Sequence, residues 1–487
     1  MHLMIRTSLF ILLLIMPLSA AANSLIPDLV LNYSDFSFVS AIAVGYKYVY
    51  FGTTHGIIRY DINREEWGDP LPGIDGRSDY QILEMKASFD DENVWVRSES
   101  GVYEYSETLR SWSLIGDMPE DNPSVRHLAP DAFYFAPWGY DYMPDGILVD
   151  DYGRRFPLTD IVDDSWANLW IGTWGLGAAW ADEDGRRIEL LTYGMLQKDL
   201  SAIYLDGSVL WMGGKTGESS RNGLTLFDWG SNQFEYIESV LDLRYIAENV
   251  NDIHSNGSDA FVATDDGVWV IDKSDKKIRE RLSRRSGLPD NHVLTVLTDG
   301  ELLIAGTEYG LGILNIYSDS AEQVARLLLP SETILCLEKA GDDLWIGTTR
   351  GAYRFDLKAG ALGRLTAPEI TQFGKILDLE YADDRMWVAT EYELASIDLA
   401  TAEVELYPEV VNFGGVNAVA VKDTIVAAAT GAGLLLIHTG DQKYHRLFTV
   451  DDGLISNNIN DLVFGESYLW LGTGEGLSRF WYTSPSL

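Results

Sequence analysis

Residues 344–356 read Leu344-Trp345-Ile346-Gly347-Thr348-Thr349-Arg350-Gly351-Ala352-Tyr353-Arg354-Phe355-Asp356. Two short alternating apolar runs flank a turn-forming Thr-Thr-Arg-Gly, the pattern of two strands joined by a tight hairpin. The first of these runs recurs along the chain. Clear copies are centred on Tyr50, Trp170, Trp211, Phe261, Trp387 and Trp470, and weaker ones on Trp95, Tyr134, Ile304 and Ala427. With the copy at Trp345 that makes eleven repeats, 36 to 50 residues apart and 42 on average. A repeat of this length accommodates one four-stranded blade of a β-propeller.

The last repeat shows how such a blade is assembled. It reads as a first strand over 459–464, a second over 468–473 and a third over 477–481, with glycine turns between them. Too little chain follows for a fourth strand. Residues 28–33 resemble the outer-strand sequence at 444–449 and are expected to complete this last blade, leaving no free sheet edge. The fold class is therefore all-β, a propeller of about eleven four-stranded repeats closed by the N-terminal strand. Eleven blades exceed the four to eight of ordinary rings, which leaves two arrangements open. One is two smaller rings divided near 239–249, the longest interval between repeats; the other is one large ring.

Composition narrows the function. The 487 residues carry 74 acidic against 36 basic side chains, a formal charge of −38, which repels nucleic acid and anionic membrane surfaces. Arg6, a largely apolar run over 9–18 and the small residues Ser19, Ala20, Ala21 and Ala22 form a signal peptide over 1–22. The mature chain, 23–487, is then expected in a bacterial periplasm or outside the cell, with no membrane span remaining and no disulfide, since Cys336 is the sole cysteine.

The repeated Leu-Trp-Ile-Gly-Thr word, the Gly-x-x-Arg-Tyr/Phe-Asp pattern at 56–61 and 351–356, and the loops Ser286-Gly287-Leu288-Pro289-Asp290-Asn291 and Asp452-Gly453-Leu454-Ile455-Ser456-Asn457-Asn458 resemble the two-component regulator propeller repeats. That family supplies the periplasmic sensor regions of bacterial hybrid histidine kinases. The resemblance spans nearly the whole mature chain and implies a propeller that senses carbohydrate breakdown products. No kinase or DNA-binding region accompanies it here, so signalling is expected to pass through a separate partner.

Chemical motifs are few. The mature-chain histidines at 55, 127, 254, 292, 438 and 445 show no metal-ligand spacing, and no nucleophile elbow, phosphate loop or dinucleotide fingerprint occurs. No metal, cofactor or catalytic residue is assigned. The turns between second and third strands, which open on one face of a propeller, hold His55, Trp174, Tyr309, Arg350, Tyr392 and Glu475. Large or charged side chains there are not needed for packing, and they form the candidate ligand site. A second candidate surface is the aromatic segment with Trp138, Tyr140 and Tyr142, either a platform for stacking or a hot spot, or else packing for a degenerate blade. The recurring tryptophans 170, 345, 387 and 470 read as filler between blades.

The function expected from these features is a non-enzymatic exported binding module or scaffold. It would recognise a small molecule or oligosaccharide, or an envelope protein. A polysaccharide lyase or hydrolase built on a propeller is the alternative.

Overall fold

The computed structural model describes residues 29–74, 81–120, 125–129, 136–164, 166–182, 187–216, 221–241, 244–245, 248–316, 326–364, 374–440 and 444–484. The signal segment expected at 1–22 lies outside them. The described residues are 60% strand and 3% helix, as the repeat pattern requires.

Among the described residues, nine four-stranded antiparallel sheets are built, eight of them from four consecutive strands of one repeat. In the eighth repeat these are Ile334–Ala340, Asp343–Thr348, Gly351–Asp356 and Ala361–Arg364. The eleventh repeat supplies three strands among the described residues, and Val30–Tyr33 pairs with Gly476–Phe480 in the register Val30 to Phe480 and Tyr33 to Leu477. The N-terminal strand therefore fills the vacant position, as expected.

Each residue of the repeated word has a physical task. Its threonine is buried and clamps the following turn: Thr348 Oγ1 donates to the Gly351 carbonyl (2.8 Å) and accepts from the Arg350 amide (3.1 Å). The same pair of bonds recurs at Thr53, Thr264, Thr307, Thr390, Thr430 and Thr473. Satisfying a turn amide inside the fold avoids the cost of a buried orphan donor. The word's glycine admits the next sheet: a Cβ on Gly347 would lie 2.9 Å from Ile376, which opens the following repeat. The tryptophans at 170, 345, 387 and 470 are at most 4% exposed and pack between sheets.

First strands of successive repeats lie against one another from repeat 1 to 2 and from repeat 5 through to repeat 11. Two contacts depart from chain order. The fourth repeat packs on the first, with Gly172 facing Val39, and the eleventh packs on the fifth, with Gly472 facing Leu200 and Ile203. Aspartates bond across both joints: Asp160 Oδ2 accepts from the Ile42 amide (3.0 Å), and Asp461 Oδ2 from that of Ile203 (2.8 Å). The two groups of sheets meet in a shared apolar cluster that includes Tyr33, Phe36, Phe51, Trp170, Tyr193, Phe227 and Trp470.

The expectation of eleven four-stranded repeats is corrected at the third, whose copy of the word at Tyr134 lies outside the described residues. Its described strands join the sheet of repeat 4, making seven strands in all. Arg126–Leu128 pairs with one edge of Arg155–Asp163, and the hairpin Tyr140–Met143 and Ile147–Asp150 extends the N-terminal half of that same long strand. Where repeats 1, 4, 7, 8 and 11 have Gly-Thr, this one has Ala136-Pro137, and Pro137 provides neither the clamping hydroxyl nor a backbone donor.

Candidate functional site

The turns that hold the six candidate residues are rigid because the word's threonine ties down the backbone. In five of the six, the amide of the candidate itself (His55, Tyr309, Arg350, Tyr392 and Glu475) bonds to that hydroxyl. The side chains divide by location. His55 and Trp174 belong to the sheets of repeats 1 and 4. There His55 Nδ1 lies 3.1 Å from the Asp35 carbonyl, and Trp174 rests edge-on against Phe38 at 5.2 Å. Both hold the segment that leads from the closing strand into the first repeat.

The other four stand on repeats 7, 8, 9 and 11. Tyr309 is 61% exposed and lines a polar cavity of about 390 Å³ with Glu308, Ser331 and Thr333. Arg350 reaches the loop forming its far wall, donating to the Ser331 carbonyl (3.3 Å) and pairing with Glu332 at 3.4 Å. Tyr309 and Arg350 are thereby brought onto one loop. Tyr392 stands apart, 71% exposed beside Glu391, which pairs with Lys375. Glu475 pairs with Lys198 at 2.7 Å, next to the joint between the eleventh and fifth repeats.

The structure adds residues that the sequence pattern passes over. His292, in the loop entering repeat 7, places Nε2 3.2 Å from Asp265 and Nδ1 3.0 Å from Glu308. It therefore ties together the turns of two neighbouring sheets at the edge of the Tyr309 cavity. The preceding Asn291 is structural, since its side chain accepts from the Arg284 amide and donates to Asp266. A scan of the turns alone misses His292; the signal was its place directly after the Pro-Asp-Asn of an entry loop.

In the aromatic segment, Tyr140 packs edge-on against Phe156 at 6.1 Å, and Tyr142 packs on the same cluster. They extend the enlarged sheet. Trp138 is 99% exposed.

A further group of acids lies on the first strands. Asp252 and Asp378 repeat the cross-joint bond of Asp461, accepting from the Val296 and Val419 amides at 2.8 Å. Glu338 and Glu380 sit two residues on from position-equivalent Cys336 and Asp378. Burial, reinforced by the neighbouring acids, raises the carboxyls of Glu338 and Glu380 to about 8; burial, with Asp252 nearby, raises Asp461 to about 7. A group whose folded pKa exceeds its unfolded value stabilises the fold at low pH and loses that contribution as pH rises through the folded value. The melting temperature is therefore expected to fall between pH 5 and pH 9, by on the order of several degrees. Glu338→Gln with Glu380→Gln should flatten that slope in thermal melts at a series of pH values. A slope unchanged in the double variant would exclude these acids as its source.

Among the described residues, no three His, Cys, Asp or Glu side chains are placed to hold a metal ion, and no helix is long and apolar enough to cross a membrane.

No family model and no curated protein matches the chain. Solved structures do resemble it. PorZ, an essential bacterial surface component of the type-IX secretion system of Porphyromonas gingivalis, is 15% identical, with a TM-score of 0.52 over 91% of this chain and 74% of its own. Extracellular domains of two hybrid two-component systems from B. thetaiotaomicron are 12% and 14% identical over 91% of this chain, covering 70% and 74% of their own lengths, with TM-scores of 0.48 and 0.38. At these identities the likeness is one of fold.

Proposed function

We propose that this chain is an exported, non-enzymatic binding module of the bacterial periplasm or cell surface whose ligand sits in the cavity beside Tyr309. The observation that carries this reading is the cavity itself. An exposed aromatic ring lines it together with residues of two separate loops, Glu308 from one and Ser331 and Thr333 from the other, while His292 contacts Glu308 and Arg350 pairs with Glu332. Exposed rings beside hydrogen-bonding groups suit a sugar, whose ring has one apolar face and a polar rim. Surface and extracellular proteins of similar fold support the location.

We read the sheets as two circuits, repeats 1 to 4 and repeats 5 to 11, the second a seven-bladed ring. The joints from repeat 4 to 1 and from repeat 11 to 5 support this. The division then falls near 192–199 in place of 239–249, where Ser239 and Glu248 are buried and Glu248 accepts from Thr264 and Trp269 of the next sheet.

The test is a screen of oligosaccharides by calorimetry. Tyr309→Ala is expected to weaken binding by about tenfold or more, roughly 1.4 kcal/mol, with the melting temperature unchanged, because the ring is exposed. Trp174→Ala should leave that affinity intact. Equal affinity in the Tyr309 variant would remove the cavity from consideration.

One observation favours a second reading, a polysaccharide lyase or hydrolase. His292 bridges Asp265 and Glu308 near Tyr309 and Arg350, so a base, acids and a cation share one face. Release of new sugar ends from a polysaccharide, lost in His292→Ala, would establish that reading over simple binding.

A further inference from the structure

The opposite ends of the blades carry a second feature, independent of the Tyr309 cavity. Tyr46, Phe89 and Trp166 lie on the turns between first and second strands of repeats 1, 2 and 4, and are 60%, 55% and 47% exposed. Although they come from three sheets, their rings touch. Tyr46 lies 5.4 Å from Phe89 and 6.2 Å from Trp166, and Phe89 lies 6.1 Å from Trp166. Exposed aromatic rings that cluster without covering a core mark an interaction surface.

Their backbones are held in place. The Asp91 carboxylate, from the Phe89 turn, accepts from the amides of Lys47 (2.7 Å) and Tyr48 (3.3 Å) and so grips the Tyr46 turn. Gly45 permits this approach, since a Cβ there would lie 1.9 Å from Asp91 Oδ1. The buried Asp164 accepts from the Trp166 amide (2.8 Å), from Asn168 and from the Trp170 indole. Rings on such fixed turns lose little freedom when a partner binds.

The arrangement selects a partner chemistry. The three rings are inclined to one another by 54°, 87° and 60°, so no flat platform exists for stacking a chain of sugars. Inclined aromatic faces favour a cation instead. Asp90 and Glu92 are exposed on the same turn as Phe89. The nearby Lys47 is already engaged, 3.4 Å from Asp61 and 4.4 Å above the Tyr48 ring. With a net charge of −38, the chain as a whole also draws cations.

We propose that Tyr46, Phe89 and Trp166 form a docking site for a basic segment of a partner polypeptide, with a guanidinium or ammonium group seated against the rings.

The probe is a hexa-arginine peptide, with a citrulline peptide of the same length as its uncharged counterpart, titrated against the full chain by calorimetry and Trp fluorescence. Trp166→Ala and Phe89→Ala are each expected to weaken the arginine peptide by about tenfold, with melting temperatures unchanged. Neither variant alters charge, so general attraction to an acidic protein would survive in both. Equal affinity of the variants and the unmodified chain would overturn the proposal. So would equal binding of the citrulline peptide, or displacement of the arginine peptide by a neutral oligosaccharide.

Discussion

A chain lacking residues 28–33 should melt at least about ten degrees below the full protein and scatter light on standing, whereas trimming 484–487 should change neither property. Val30–Tyr33 is the outer strand of a sheet whose other three strands come from the far end of the chain. Leu29 and Tyr33 are 2% and 1% exposed, and the Tyr33 ring lies 4.9 Å from Phe227 in the cluster joining the two groups of sheets. Burying two such side chains contributes about 3 to 6 kcal/mol. The Trp481 amide donates to Leu29, and Asn32 bonds both Ser478 and the Gly453 carbonyl. Deletion removes all of this and leaves Gly476–Phe480 as a bare edge, a template for aggregation. Thermal melts with light scattering check the expectation; a deleted chain that melts with the full protein and stays clear would refute it.

Trp345→Ala should cost roughly 3 to 5 kcal/mol, the largest loss expected from any single substitution considered for this protein. Its side chain is 4% exposed and packs with Cys336, Ile376, Leu379 and Met386, where the sheets of repeats 8 and 9 meet. Truncation leaves a cavity between two sheets that the surrounding strands, pinned by their ladders, close only in part. Trp345→Phe should be much milder. The Trp345 indole nitrogen is buried with no hydrogen-bond partner among the described residues, so phenylalanine removes an unsatisfied donor while keeping most of the packing. Denaturant unfolding of the two variants decides the matter. A Phe variant as unstable as the Ala variant would mean that the indole contributes through something other than apolar volume.

The contrast between Trp345 and Tyr309 shows what could be read from the chain alone. Trp345 belongs to a word repeated in register, and a large apolar residue that recurs from copy to copy serves packing. Its burial follows from the pattern. Tyr309 varies from copy to copy, which marked it as a candidate but said nothing of its surroundings. Those depend on Ser331 and Thr333, more than twenty residues away, and on His292, which meets Asp265 and Glu308 only because two sheets lie side by side. His55 had the same sequence signature as Tyr309, yet its ring turns inward to the Asp35 carbonyl. The inclined rings of Tyr46, Phe89 and Trp166 left no trace in the repeat, because each is a single aromatic on a separate turn.

By itself, the sequence determined the all-β class, the repeat, the hairpins and the pairing of the N-terminal strand with the last sheet. Those rest on local alternation, turn residues and a missing strand, which are properties of short stretches. Only the tertiary structure decided that the third repeat would merge with the fourth sheet, and that the fourth repeat would pack on the first and the eleventh on the fifth. All repeats but the second, which has Arg97, present a glycine or alanine to the neighbour beside a similar apolar face, so local pattern does not distinguish one neighbour from another. The choice is made by contacts such as Gly172 with Val39 and Asp461 with Ile203, whose partners are more than a hundred residues apart.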